Sequence, residues 1–134
     1  MRSADKPQAV AVQRGDASWS MDELTQFGLL TGSWELQEHG RLANENRPVL
    51  KAFDRYGRRQ NVVEFHPSYH VLMATSMGAG LHCQPWEDDR SGSMVARVAK
   101  SYLMTQVEAG HGCPMTMTFA SVPALRHQAE LAEV

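Results

Sequence analysis

His66 and His70 stand four residues apart, which on a helix places two imidazoles on one face, the arrangement that zinc enzymes use. Pro67 occupies the position where a water-activating glutamate would follow the first histidine, and no third ligand has suitable spacing. A histidine that caps or hydrogen-bonds within the fold is the preferred reading. His82-Cys83 adds nothing to a metal site, because adjacent side chains diverge on a helix. Cys113 precedes a possible helix start, where the macrodipole favours the thiolate, and His111 lies two residues away. A nucleophile there needs a particular loop geometry, so a structural cysteine is preferred. Arg47, Lys51, Arg55, Arg58 and Arg59, opposed by Asp54, make a basic turn with Tyr56 as its interleaved aromatic. Such arginines usually face solvent, and contact with DNA through Arg55 to Arg59 is the weaker alternative.

Glu87-Asp88-Asp89 resembles a hard-metal site only in composition, since successive carboxylates point in different directions. Charge ahead of a helix, at the positive end of its dipole, explains the run more simply. The run Met115-Thr116-Met117 reads as adaptable packing, and neither common glycine-rich phosphate loop is present. The residues by themselves advertise no self-contained active site.

The elements that must position these groups come from one domain's worth of chain, 134 residues. Thirteen Lys plus Arg against fifteen Asp plus Glu leave a net charge of -2, unlike the strongly basic balance of phosphate-backbone binders. No apolar stretch approaches the length of a bilayer span, which predicts a soluble chain with no membrane partner. Two cysteines without a CxxC pairing, and charges and Pro7 where a leader would need its apolar stretch, point to a reducing, cytoplasmic location.

Residues 1–18 carry no sustained period and are read as a flexible arm, and residues 19–134 as one domain. Ser20-Met21-Asp22-Glu23 offers a capping box for a helix with the apolar stripe Met21, Leu24, Phe27 and Leu30, stopped by a left-handed Gly32. A second helix is expected over 33–46. A hairpin turning near Gly57 follows, and then a helix with Pro67 in its first turn and Tyr69, Leu72, Met73 and Met77 on its buried face. After an irregular connection holding Trp86, the longest helical pattern opens at Ser91. Its predicted buried stripe is Met94, Val95, Val98, Tyr102, Leu103 and Val107, with Arg97 and Lys100 on the wetter side. Met115, Phe119 and Val122 share a face of the last helix, which Pro123 is expected to kink or end. The fold class is mainly α with a small β-hairpin-like excursion.

Several uncommon words recur in register: Leu42-Ala43-Asn44-Glu45-Asn46-Arg47-Pro48, Glu64-Phe65-His66-Pro67-Ser68-Tyr69-His70, Pro85-Trp86-Glu87-Asp88, Val95-Ala96-Arg97-Val98-Ala99, Gln106-Val107-Glu108-Ala109-Gly110 and Cys113-Pro114-Met115-Thr116-Met117-Thr118-Phe119-Ala120. As a set, from about residue 12 onward, they resemble the amino-terminal region of the AidB-type acyl-CoA dehydrogenases, flavoproteins of the bacterial adaptive response to alkylation damage. The resemblance implies an acyl-CoA dehydrogenase-like amino-terminal helical domain. FAD, an acyl-CoA-like substrate and DNA are the family's implied ligands. The catalytic carboxylate base, most of the flavin site and the basic DNA-binding region are implied to lie outside this stretch, which reads as a third or less of its relatives. By position, Met115, Thr116 and Phe119 would wall the acyl pocket, although a packing role uses the same residue types. His66 and Trp86 are expected to be structural, and Arg97 to fix an interdomain contact. Apolar stripes larger than a few short helices can cover predict contacts with remaining domains or with other copies in a tetramer-like assembly. An interaction or oligomerisation module without flavin is the alternative.

Overall fold

The computed structural model describes residues 5–128 and residue 130. The chain runs α1 (Asp5–Arg14), a 3-10 turn (Ser18–Ser20), α2 (Met21–Thr31), α3 (Trp34–Glu45), β1 (Val49–Phe53), β2 (Arg59–Glu64), α4 (Pro67–Gly78), α5 (Gln84–Glu87), α6 (Ser93–Thr105) and α7 (Gly112–Arg126). The expected mainly α fold with one hairpin is therefore what the chain forms.

Local signals account for the middle of the molecule. Ser33 caps α3 by accepting from the Leu36 N–H at 3.2 Å. His66 caps α4 in the same way, its Nδ1 accepting from the Ser68 N–H at 3.2 Å, and Pro67 sits in the first turn where its missing donor costs nothing. The hairpin is antiparallel, with Leu50 opposite Val63 and Lys51 opposite Val62. Its turn is held by the Asp54 carboxylate, which accepts from the Tyr56 and Arg58 N–H groups at 2.8 Å each, and by Gly57 at φ 77°. The hairpin stands out from the helices with Leu50, Phe53, Tyr56, Val62 and Val63 exposed.

Two small cores lie on either side of α6. Phe27, Leu36, Leu72, Leu81, Met104 and Val107 form one, and Val12, Ala17, Leu24, Ala96 and Ala99 the other, with Leu103 against both. The stretch expected as a flexible arm is corrected here: residues 5–14 are helical, Val12 and Ala17 are buried, and Gln8 Nε2 donates to the Ala99 carbonyl at 2.9 Å. A short, weakly amphipathic helix draws its stability from such tertiary contacts, so its own periodicity did not announce it. The turn after it is pressed against Gly92, at φ 79°, where an added Cβ would lie 2.6 Å from the backbone of Asp16.

Four further expectations are corrected. Ser20 precedes α2 but does not cap it; its hydroxyl donates back to the Ala17 carbonyl at 2.7 Å, and Glu23 reaches Lys100 instead. Gly32 ends α2 in a right-handed conformation, φ -83°, so the stop is not a left-handed one. Leu30, placed in the buried stripe of α2, is exposed, and Thr31 is buried in that helix's last turn. The region of Trp86, expected to be irregular, contains the single turn α5.

Helix α6 overturns half of the predicted stripe: Val95 and Leu103 pack against the cores and Val107, just past its end, is buried, but the rest of the buried face is a different one. Ser93, Ala96, Arg97, Ala99, Lys100 and Met104 are buried, whereas Met94, Val98 and Tyr102 are exposed, Tyr102 by 66%. Both stripes obey the helical period, so periodicity alone does not choose between them. Alanines at 96 and 99 permit close approach of α1 and α2. Of the two cations beside them, Lys100 finds three oxygen partners and Arg97 one carbonyl and an aromatic ring, as described below.

Candidate functional site

Lys100 and Arg97, one turn apart on α6, are 1% and 8% exposed. Lys100 Nζ donates to the Ala79 carbonyl at 3.0 Å and to Gln84 Oε1 at 2.7 Å, and pairs with the half-exposed Glu23 carboxylate. One ammonium thus ties the end of α4, α5 and α2 to α6, using its three protons.

Arg97 is held differently. Its Nε donates to the Leu81 carbonyl at 2.7 Å, and its guanidinium lies 3.7 Å from the centroid of the Phe119 ring. Phe119 stacks on Trp86 with centroids 4.7 Å apart. Trp86 Nε1 donates to the Phe119 carbonyl at 2.9 Å. That carbonyl is the one Pro123, four residues on, cannot serve, because proline has no N–H. The indole supplies the missing donor, and α7 continues through Pro123 to Arg126 instead of ending there.

Behind Arg97 lies a cavity of about 110 Å³, bordered by Arg97, Ser101, Glu108, His111, Met115 and Thr116 among others. Glu108 and His111 belong to a closed polar network. His111 Nδ1 is 2.7 Å from Glu108 Oε2, and His111 Nε2 is 2.8 Å from the hydroxyl of Ser76 on α4. Glu108 also accepts from the N–H groups of Gly110 and His111. Burial pushes its carboxyl up, yet the hydrogen bonds from His111 and Gly110 and the neighbouring His111 outweigh that and leave it below the ordinary carboxylate value. Burial alone pushes the Arg97 guanidinium down.

The order Ser76–His111–Glu108 is that of a nucleophile, base and orienting acid. Ser76 is 0% exposed in the body of a helix, so no substrate carbonyl reaches its hydroxyl, and the network acts as a tie between α4 and the turn before α7. Sequence spacing gave no sign of it, because Ser76 and His111 are 35 residues apart.

Of the predicted pocket residues, Met115 is buried on the cavity, Thr116 is exposed at its border, and Phe119 is half-buried between α6 and Trp86, outside the cavity lining. The structure therefore brings Met115 and Thr116 together with Arg97, while Phe119 joins them through Arg97. Cys113 is exposed, and both ring nitrogens of His111 are engaged elsewhere, so the conjectured cysteine and histidine do not pair. His70 lies edge-on to Tyr69 and Phe65. Asp88 pairs with Arg90, whose hydrogen bonds hold its carboxyl below the ordinary value. No group of three metal-ligating side chains is assembled among the described residues.

A hollow of about 670 Å³ is an open groove between α1, α2 and the end of α6, lined by Val12, Leu24, Leu29 and Leu103 with Gln8 and Gln37 among others. Its lining carries no cation. Among the described residues no helix is long and apolar enough to cross a membrane.

These features define a helical domain with a projecting hairpin, whose buried polar groups tie helices together. The chain belongs to a known family of such domains: the family model described as the adaptive response protein AidB N-terminal domain matches residues 1–134. It is also similar to the Escherichia coli (strain K12) protein named "Putative acyl-CoA dehydrogenase AidB", with 48% identity over 116 residues, 86% of this chain. The matched region is 21% of that relative, so the chain spans about a fifth of the relative's length.

Proposed function

We propose that the chain is the amino-terminal helical part of an acyl-CoA dehydrogenase-like flavoprotein of the adaptive response to DNA alkylation, and that it shapes one wall of the acyl pocket and supplies subunit contacts. Met115, Thr116 and Phe119 are the wall residues. FAD, acyl-CoA-like substrate and DNA are engaged mainly by other parts of such a protein, in the cytoplasm. The donor set supports this division: the groove of about 670 Å³ offers no guanidinium or ammonium to a pyrophosphate and no glycine-rich turn. The residues present therefore do not fit a complete flavin site, and no step of flavin chemistry is assigned to them.

The observation that carries the contact role is the outward apolar stripe Met94, Val98 and Tyr102 on α6. Apolar surface of this kind is stabilised by about 25 cal/mol per Å² when a partner removes it from water. Light scattering over a concentration series tests it. The chain is expected to self-associate, and Tyr102→Glu to shift it toward monomer; a monomeric wild-type chain with a sharp two-state melt at high temperature overturns the role. Stoichiometric flavin on the purified chain, or oxidation of an acyl-CoA with an added electron acceptor, refutes the division of labour.

The exposed hairpin favours the second reading, an interaction module acting without flavin. Salt-dependent DNA binding that disappears on charge reversal at Arg55, Arg58 and Arg59 would place DNA on that turn.

A further inference from the structure

We propose that the cavity between α6 and the first turn of α7 is a carboxylate-binding site whose central group is the guanidinium of Arg97. The proposal shares Met115 and Thr116 with the acyl-pocket reading but needs neither flavin nor an acyl chain, so it can fail or hold separately.

Arg97 is more than nine-tenths buried, and among the described residues no carboxylate oxygen lies within ion-pair distance of it. Its single hydrogen bond, from Nε to Leu81, and the Phe119 ring against its plane fix the guanidinium in place. The terminal nitrogens have no acceptor among the described residues, and Arg97 borders the cavity. A planar cation held this way has little conformational freedom left to lose and offers the fork that matches a carboxylate with two parallel N–H bonds.

The surroundings agree with an incoming anion. Gly112 brings the amino-terminal end of the fifteen-residue α7 to the same cavity, and the partial positive charge there favours a negative guest. The hydroxyls of Ser101 and Thr105 are spent on the Arg97 and Ser101 carbonyls, whereas the Thr116 hydroxyl has no partner among the described residues and can donate at the border. Glu108 is the one carboxylate facing the cavity. It is engaged by two backbone N–H groups and the His111 ring, which share its charge and leave Arg97 uncompensated. The volume of about 110 Å³ exceeds the roughly 10–15 Å³ that a single water requires, and admits a carboxylate. Such a group has two sources: a small free acid, or an Asp or Glu side chain of a second copy of the chain.

The test follows the backbone amide signals of residue 97 and of Gly112, which borders the cavity, in the 134-residue chain by NMR during titration with sodium formate, with sodium chloride at matched ionic strength as the reference. A saturable shift with formate alone is expected, weakened roughly tenfold in Arg97→Lys, which keeps the charge but loses the fork. Thr116→Val, at an exposed position that leaves the core intact, is expected to weaken it about threefold and guards against an Arg97 variant that fails to fold. A dilution series without formate separates the sources: a shift that grows with protein concentration assigns the carboxylate to a second copy, and a shift seen only with formate assigns it to a free acid. Identical responses to formate and chloride, or no saturable response in either series, overturns the proposal.

Discussion

The surroundings of Lys100 and of Arg97 present the same problem with two solutions. Both are cations on the inward face of α6, but Lys100 meets two oxygen acceptors and a carboxylate, whereas Arg97 meets one carbonyl and an aromatic ring. A buried charge surrounded by acceptors is a structural tie, and removing it strands its partners. A largely buried cation whose terminal donors stay open to a cavity gives the fold less and leaves capacity for something else. The difference separates a residue that holds the domain together from one positioned to receive a ligand.

Substitution sharpens this contrast. Lys100→Ala is expected to have the largest effect, about 3 kcal/mol lost in urea denaturation, the lower end for a broken buried pair because Glu23 is half-exposed and regains water. Trp86→Phe keeps the stack on Phe119 but removes the indole donor, and should cost about 1–2 kcal/mol. Pro123→Ala restores a backbone N–H four residues from Phe119, so the same Trp86→Phe change is expected to cost much less in that background. A double-mutant cycle that finds the two changes additive removes the explanation of how α7 passes Pro123.

Arg97→Met retains length and apolar contact while deleting an uncompensated charge, so a cost of no more than about 1 kcal/mol is expected. A loss as large as that for Lys100→Ala would erase the distinction between the two cations. The smallest effect concerns Glu108, whose carboxyl lies below its ordinary value in the fold. A group depressed in this way contributes stability above its unfolded value of about 4.3, and the contribution is lost as pH falls through the folded value. Thermal melts from neutral pH down through that range should show a decline that is shallower in Glu108→Gln. An unchanged slope would mean that the His111 network is not coupled to folding.

Legibility followed the range of the interaction. The extent of α3, the turn near Gly57 and the Pro67 start could be read because the signals for each lie within a few residues. The same local logic failed at Ser20, where the serine had an equally close backbone acceptor and Glu23 a better distant partner in Lys100. At the candidate site, Met115 and Thr116 were singled out by residue type and resemblance. Arg97 was assigned to the wet face because a lone arginine in a helical pattern shows neither the carbonyl of Leu81 nor the ring of Phe119 that makes its burial tolerable.

Sequence by itself determined the helical class, the hairpin with its turn, the boundaries of α3 and α4 and the family words, since hydrogen bonds and backbone preferences within one turn are encoded where they act. Tertiary structure decided that residues 5–14 are helical, which face of α6 is buried, that Trp86 carries α7 past a proline, and that Ser76, His111 and Glu108 meet. Each of these depends on desolvated groups finding partners many residues away, and only the assembled chain determines whether those partners are present.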